Sequence, residues 1–498
     1  GDPGETSHDM STESTEELGT LVRKGMRWSF ASTFLSRLAN LASGIILARL
    51  LTPNDYGLFA VATVALVILI NINDLGLEQV LVRWPGDVAK VASTATTVIF
   101  GFSVVLFVGF QAGASAFATA LGAPEATDLV RVLAFAILIN GALAVPSAML
   151  TRSFRQDLRT YADLTGFIVT TGLTLALALT GFGVWGLVWG RLLGNLVNGL
   201  LHLKFTPVRY RPGWDPAVAK ELLRGGLPLA GATILAVAMV NVDNVVIGRL
   251  LGPETLGLYV LAFNLSSWPV TLLSIPVARV SVPAFARLQE DLVALRAAFA
   301  RSMGLLMAAA VPICGLLAIM AGPTIRFVYG DKWAGAATAL VFLAVLGLAR
   351  VALQLCFDVL IAVGRARQTL GLQALWLVVL TPALAIGAHL HGVAGVGIAH
   401  MAVAVVVMLP AFLFALTGLG IRPGLLGSAV LRPALGAVLL CVVPYFATRE
   451  LHPDLLVLLV GGVGGLALYL PVVFPMRRGL DAVKSAKPAG REAEAGAV

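Results

Sequence analysis

Three arginines sit inside long apolar runs of this chain: Arg37, Arg191 and Arg350. A guanidinium at mid-bilayer depth costs about 2.5–3.5 kcal/mol on insertion scales, so each should face a wet cavity or a partner, or else snorkel to an interface. Its planar fork of donors suits an anion such as a phosphate. Acids are as sparse: Asp74 and Glu78 near the end of one run, Asp243 in Asn241-Val-Asp-Asn244, and Asp358 in another. A desolvated carboxylate can exchange a proton or bind Na+; at a helix end, or beside an arginine, it only holds structure. The third signal is a set of amides: Asn40, Asn71, Asn73, Asn140, Asn195, Asn198, Asn241, Asn244 and Asn264. Amides bond across membrane helices for roughly 0.6–2 kcal/mol each, so helix glue is their default role.

These side chains need membrane helices to position them. Apolar residues make up 58% of the 498-residue chain and charged residues 12%, against roughly 25% charged in an average soluble domain. So few charges would not cover a soluble protein of this length. The apolar runs are about 20 residues long, enough to cross a roughly 30 Å hydrocarbon core. The reading is an all-α polytopic membrane protein with about 14 transmembrane helices. They fall at roughly 25–49, 57–82, 92–118, 128–151, 161–181, 184–206, 225–249, 257–281, 300–322, 336–362, 368–389, 392–419, 427–447 and 454–475. The net charge of +8 comes from scattered single basic residues, which fits topology signals rather than nucleic-acid binding. Cys314, Cys356 and Cys441 lie in apolar runs without metal-ligand spacing, so no disulfide, metal or cofactor is expected.

The chain repeats itself. Arg49, Leu50, Leu51, Pro53, Gly57, Leu58 and Ala62 recur in register as Arg249, Leu250, Leu251, Pro253, Gly257, Leu258 and Ala262. In each copy an apolar helix ends at an arginine, and a Pro that cannot continue it marks the turn into the next. Six spans per copy is an even number, so both copies enter from the same side as a parallel repeat. This divides the chain into a disordered tail (1–22), an N-lobe (23–206), a linker (207–224), a C-lobe (225–420), two C-terminal helices (421–476) and a second tail (477–498). The two six-helix lobes are expected to be pseudosymmetric. The amides concentrate in spans 1, 2, 7 and 8, the equivalent hairpins, which places a polar face on each lobe, most simply toward the other.

Of the 35 Lys and Arg, one side of the membrane holds only Arg49, Arg131, Arg249, Arg326, Lys332 and Arg449. Almost all others fall on the opposite side, which puts both termini in the cytoplasm. No apolar signal segment precedes Leu21. The long cytoplasmic stretch 282–299, with Phe285, Leu288, Leu292, Leu295 and Phe299 spaced three and four apart, is expected to lie on the membrane surface as one amphipathic helix.

Several stretches together resemble the multidrug/oligosaccharidyl-lipid/polysaccharide exporter superfamily, in its O-antigen and exopolysaccharide flippase branch. They are Asp243-Asn-Val-Val-Ile-Gly-Arg-Leu-Leu-Gly-Pro-Glu-Thr-Leu-Gly-Leu-Tyr259, Trp268-Pro269 through Pro283-Ala-Phe-Ala-Arg-Leu-Gln289, Val145-Pro-Ser-Ala-Met-Leu-Thr-Arg152, Tyr329-Gly-Asp-Lys-Trp333 and Gly364-Arg365. The resemblance implies two six-helix bundles around a central cavity and alternating access in the bacterial cytoplasmic membrane. It also implies an undecaprenyl-pyrophosphate-linked oligosaccharide as cargo, moved from the cytoplasmic to the outer leaflet. Ser36-Arg37 and Ala48-Arg49 look like pairs of the lipid II flippase branch, but Ser43-Gly44 replaces the Arg-Asp pair expected between them. For such a cargo the candidate binding residues are Arg37, Asn40, Asn71, Asn241, Asn264, Trp268, Arg350 and Arg191, cationic donors with amides and an aromatic beside them. Asp243 and Asp74 are the candidate sites for a coupling H+ or Na+. Other polysaccharide-assembly proteins are candidate partners.

The nearest alternative is a multidrug or small-cation antiporter of the same fold, which would need an acidic, aromatic cavity. An integral-membrane glycosyltransferase would need acidic residues on a substantial outer loop, and the sequence offers none, so the chain is not expected to be an enzyme.

Overall fold

The computed structural model describes residues 41–84, 88–153, 155–206 and 211–477. Arg37, Asn40 and both expected tails apart from Arg477 lie outside the described residues. All regular structure among the described residues is helical. The chain forms two compact units, Gly1–Leu50 and Leu51–Val498. Of the first, the described part is one apolar helix, α1 (Leu41–Leu50).

The second unit starts at a well-capped turn. Thr52 caps α2 (Pro53–Asp74): its hydroxyl accepts from Asp55 N, and the Asp55 carboxylate accepts from Thr52 N. This reciprocal box satisfies two of the orphan donors at a helix start. Pro53 takes the first helical position, where its missing N–H costs nothing. Leu75 and Gly76, both left-handed (φ 49° and 69°), break α2 from α3 (Leu77–Arg83). There follow α4 (Val88–Ala120), α5 (Thr127–Leu133), α6 (Phe135–Arg152), α7 (Gln156–Leu179) and α8 (Val184–Phe205). Helices α7 and α8 approach closely because α8 carries Gly at every fourth position: a Cβ on Gly190 or Gly194 would overlap Thr174 or Thr170. Small residues at that spacing are how membrane helices gain contact without a hydrophobic driving force.

Helix α9 (Pro216–Ser266) begins at an Asp215 cap, inside the stretch read as a linker. It then passes a π turn at Val270–Ser274 into α10 (Ile275–Arg287). The remaining helices are α11 (Leu292–Ile319), α12 (Ala321–Tyr329), α13 (Ala336–Ala362), α14 (Ala366–Ala402), α15 (Leu409–Thr417), α16 (Pro423–Glu450) and α17 (Asp454–Val473). The spans expected from residue 57 onward all overlap helix, the first of them broken at Leu75–Gly76.

Ten helical stretches among the described residues are long and apolar enough to cross a membrane. Two of them, Ala236–Arg287 and Ala366–Thr417, are 52 residues each. Such a helix would measure about 78 Å if straight, against a core of roughly 30 Å. Neither is straight. Gly252 in α9 has φ 82° and ψ 173°, and His391 and Gly392 break α14 with φ −139° and 58°. The Tyr259 hydroxyl lies 2.9 Å from the Asp243 carboxylate, whereas 16 residues of continuous helix would separate them by about 24 Å. The chain therefore reverses at Gly252, as the Pro253 turn leads one to expect.

The stretch 282–299 differs from its expectation. It is the end of α10, a turn, and the start of α11, which Asp291 caps through Val293 N and Ala294 N. Phe285, Leu295 and Phe299 are buried, the two phenylalanine rings 6.1 Å apart. The three-and-four spacing was real, but the apolar side chains cover one another across a turn instead of lying on a surface.

The two hairpin copies meet. A Cβ on Gly57 would overlap the Pro253 carbonyl, and a Cβ on Gly257 would overlap that of Pro53. Each copy offers its glycine to the other's proline, the reciprocal contact that a two-fold relation produces. At the far end of the chain, α16 and α17 dock on α11, where Tyr469 donates to Ala308 O (2.8 Å) beside Val311 and Leu440. Arg326 of α12 ties the start of α17 by two bonds to Asp454, 3.0 and 2.7 Å.

Candidate functional site

A cavity of about 660 Å³ lies among α9, α13, α14 and α15, within the roughly 300–1,000 Å³ range of small-molecule sites. Asp243 and Phe263 reach it from the two arms of α9, Arg350, Gln354 and Phe357 from α13, and Thr369, Gln373, Trp376 and His400 from α14. The reversals at Gly252 and Gly392 bring these segments together. Each makes two lining segments from a stretch that a straight helix would carry past the site.

Its wall is one connected network. Tyr259, fully buried, donates its hydroxyl to Asp243 Oδ2 (2.9 Å) and lies 3.2 Å from His400 Nδ1. Asp243 and His400 are also buried. A hydrogen bond to an ionised carboxylate contributes about 1.5–3 kcal/mol, and losing it would leave a buried acceptor unsatisfied. The Phe263 ring stacks between Tyr259 and His400, with centroids 5.7 and 6.0 Å away. The Arg350 guanidinium sits 5.2 Å from the Phe263 ring centre and donates to Ser267 Oγ at 3.1 Å. Among the described residues no carboxylate lies within 4.0 Å of it. A half-buried arginine held by an aromatic face and one hydroxyl keeps donors for an anionic or polyhydroxylated ligand. The amides of Gln354 and Gln373 and the Trp376 ring supply the groups that hydrogen-bond and stack on sugars.

Of the residues singled out from sequence, Arg350 and Asp243 line this cavity. Arg37 and Asn40 lie outside the described residues, and the other candidates are placed elsewhere. Asn71 and Asn241 each donate back to a carbonyl one turn earlier, Val67 O at 2.8 Å and Val237 O at 2.9 Å. Asp74 accepts from Glu78 N (3.2 Å) and so caps the α2–α3 break. Arg191, Asn264 and Trp268 do not line the cavity, and Asn264 is exposed. In the first copy the buried amide Asn73 accepts from the Ser103 hydroxyl (2.8 Å) and lies 3.5 Å from Asn140 Oδ1, which is the glue role. Asp358 accepts from Gln354 Nε2 at 2.9 Å.

Tyr259, Phe263, His400, Gln354, Gln373 and Trp376 are contributors not singled out as candidates. His400 carries a signal in the sequence: a single imidazole in the middle of an apolar run, which by the logic applied to Arg350 must have a partner.

A second polar cluster surrounds the hairpin turns. Tyr56 and Trp333 rings meet edge to face at 5.1 Å, Lys332 Nζ donates to Leu51 O at 2.6 Å, and Arg249 donates to Ala120 O at 2.8 Å. Burial pushes the Lys332 ammonium down from the ordinary lysine value, against the pull of Asp55.

Residues 46–338, more than half of the chain, match the family model described as polysaccharide biosynthesis protein. The lipopolysaccharide biosynthesis protein WzxC of Escherichia coli K12 is 25% identical over 390 residues, covering 77% of this chain and 78% of that protein. The succinoglycan biosynthesis transport protein ExoT of Rhizobium meliloti is 26% identical over 317 residues, 63% of each chain. Among solved structures, the lipid II flippase MurJ in an inward closed conformation superposes with a TM-score of 0.77 at 14% identity, covering 91% of this chain and 99% of that one. At that identity the likeness is one of fold.

Proposed function

The chain belongs to the polysaccharide biosynthesis protein family, and on that premise we propose that it is a flippase for a lipid-linked oligosaccharide. The cargo is an undecaprenyl-pyrophosphate glycan, moved by alternating access from the cytoplasmic to the outer leaflet of the bacterial cytoplasmic membrane. The observation that carries this reading is the cavity in which Arg350, with no carboxylate within 4.0 Å among the described residues, faces the same space as Gln354, Gln373 and Trp376. An anionic pyrophosphate lipid cannot cross hydrocarbon unaided, and a guanidinium next to amides and an aromatic ring is what its headgroup requires.

Fourteen spans in two six-helix lobes plus a C-terminal pair, with both termini cytoplasmic, complete the architecture. Two facts support it: the reciprocal Gly57–Pro253 and Gly257–Pro53 approach, and the distribution of basic residues. Arg37 and Asn40, which lie outside the described residues, remain candidates for cargo contact on the strength of the sequence. Asp243, bonded to Tyr259 inside the same cavity, is the candidate for a coupling H+ or Na+.

That buried acid also favours a second reading, a cation-coupled antiporter of the same fold. The two separate in proteoliposomes carrying an undecaprenyl-pyrophosphate-linked glycan, probed by a membrane-impermeant glycosidase. A flippase renders the inner pool accessible, Arg37→Ala and Arg350→Ala abolish this, and both variants still express. An unchanged inner pool with active uptake of a cationic drug would replace the flippase by the antiporter.

A further inference from the structure

A second pocket, about 650 Å³, lies away from the cavity described above and is lined by Val293, Arg296 and Ala297 of α11 and by Gly420, Arg422 and Gly424 around the α15–α16 turn. Its two guanidiniums have no carboxylate within 4.0 Å among the described residues. The nearest acid in sequence, Asp291, is occupied by the first N–H groups of α11.

Arg296 is held in place. Its Nε donates to Leu419 O at 2.9 Å, and its guanidinium lies against Gly420 so closely that a Cβ there would overlap it. Gly420 has φ 71°, so both the backbone and the space require glycine. The Nε bond leaves the terminal nitrogens of Arg296 with no partner among the described residues. Arg422 is exposed and makes no bond there either. Arg365, bonded to Gly418 O at 2.8 Å, adds a third positive charge to the same turn.

We propose that this arginine-lined pocket binds the phosphate headgroup of an anionic phospholipid. Two unneutralised guanidiniums, one preorganised, fit the donor pattern that phosphate oxygens accept. The apolar side of the pocket fits the lipid rather than the free anion: Val293 is 75% exposed and Ala297 lies one turn on along the same face of α11. Basic pockets between membrane helices on the cytoplasmic side hold such headgroups; assignment to the cytoplasmic leaflet rests on the orientation proposed above. The bound phosphate would join α11 to the connection between the second repeat and the C-terminal pair of helices.

The test uses the full-length chain in detergent, offered an equimolar mixture of phosphatidylglycerol and phosphatidylcholine, with retained lipid counted by native mass spectrometry. The chain should retain phosphatidylglycerol over phosphatidylcholine by about tenfold, as expected for one charge-assisted bidentate contact. Arg422→Gln should abolish that preference without changing the melting temperature of the lipid-free protein, and Arg422→Lys should restore part of it. Equal retention of the two lipids, or an undiminished preference in Arg422→Gln, overturns the site. Displacement of the lipid by millimolar inorganic phosphate would show a free-anion site and overturn the lipid assignment. The readout involves neither a leaflet nor a transport step, so it stands or fails independently of the flippase reading.

Discussion

At the residue scale, Arg350 and Tyr259 carry separable loads. Arg350 has an aromatic face and a hydroxyl for partners and keeps donors toward the cavity. Arg350→Lys should retain charge but lose the planar fork, leaving transport well below wild type, while Arg350→Ala should abolish it. Both are read in the proteoliposome assay. Tyr259→Phe keeps the ring stack on Phe263 and removes only the hydroxyl between Asp243 and His400. Leaving a buried carboxylate short of a donor costs about 1–3 kcal/mol. A lower melting temperature together with reduced transport is therefore expected, and a variant matching wild type in both would show the network to be incidental. Arg350 and Asp243 were legible in the sequence because a charge in an apolar run demands an explanation. Tyr259 was not, because an apolar ring with one polar atom looks like core until its partner 16 residues away is folded back onto it. Asn71 and Asn241 were legible as polar but not as self-satisfied: whether an amide faces a cavity or its own helix depends on a rotamer that spacing does not determine.

At the element scale, the repeat located the reversal at Gly252–Pro253 correctly, since Pro and Gly act through backbone geometry that any environment must respect. Spacing was a poorer guide at 282–299, where the same periodicity suits a surface helix and two helices closing on each other. Gly57 and Gly257 permit the backbones of α2 and α9 to touch. Gly257→Ala should force them apart at an overpacking cost of about 1–3 kcal/mol. The expected result is a lower melting temperature and easier labelling of a cysteine placed in the cavity by an impermeant reagent from the hairpin side. Unchanged stability and labelling would contradict the close approach.

At the scale of the whole molecule, alternating access requires the contacts at the hairpin turns to open in each cycle. The Tyr56 and Trp333 rings meet there, so cysteines at these positions would face each other across a gap that a short bifunctional thiol reagent can span. In a background with Cys314, Cys356 and Cys441 replaced, cross-linking a Tyr56→Cys/Trp333→Cys pair with a disulfide-containing bifunctional maleimide should stop transport, and reducing the linker should restore it. Transport by the bridged protein would rule out opening at this end. The central claim, that the chain moves a lipid-linked glycan held by Arg350, is tested most directly in cells lacking the protein. Lipid-linked intermediates are extracted and their leaflet is assigned by access of a membrane-impermeant lectin. The account predicts an undecaprenyl-pyrophosphate glycan accumulating in the inner leaflet alone, cleared by the wild-type chain and not by Arg350→Ala. No accumulation, or clearance by Arg350→Ala as complete as by wild type, would contradict it.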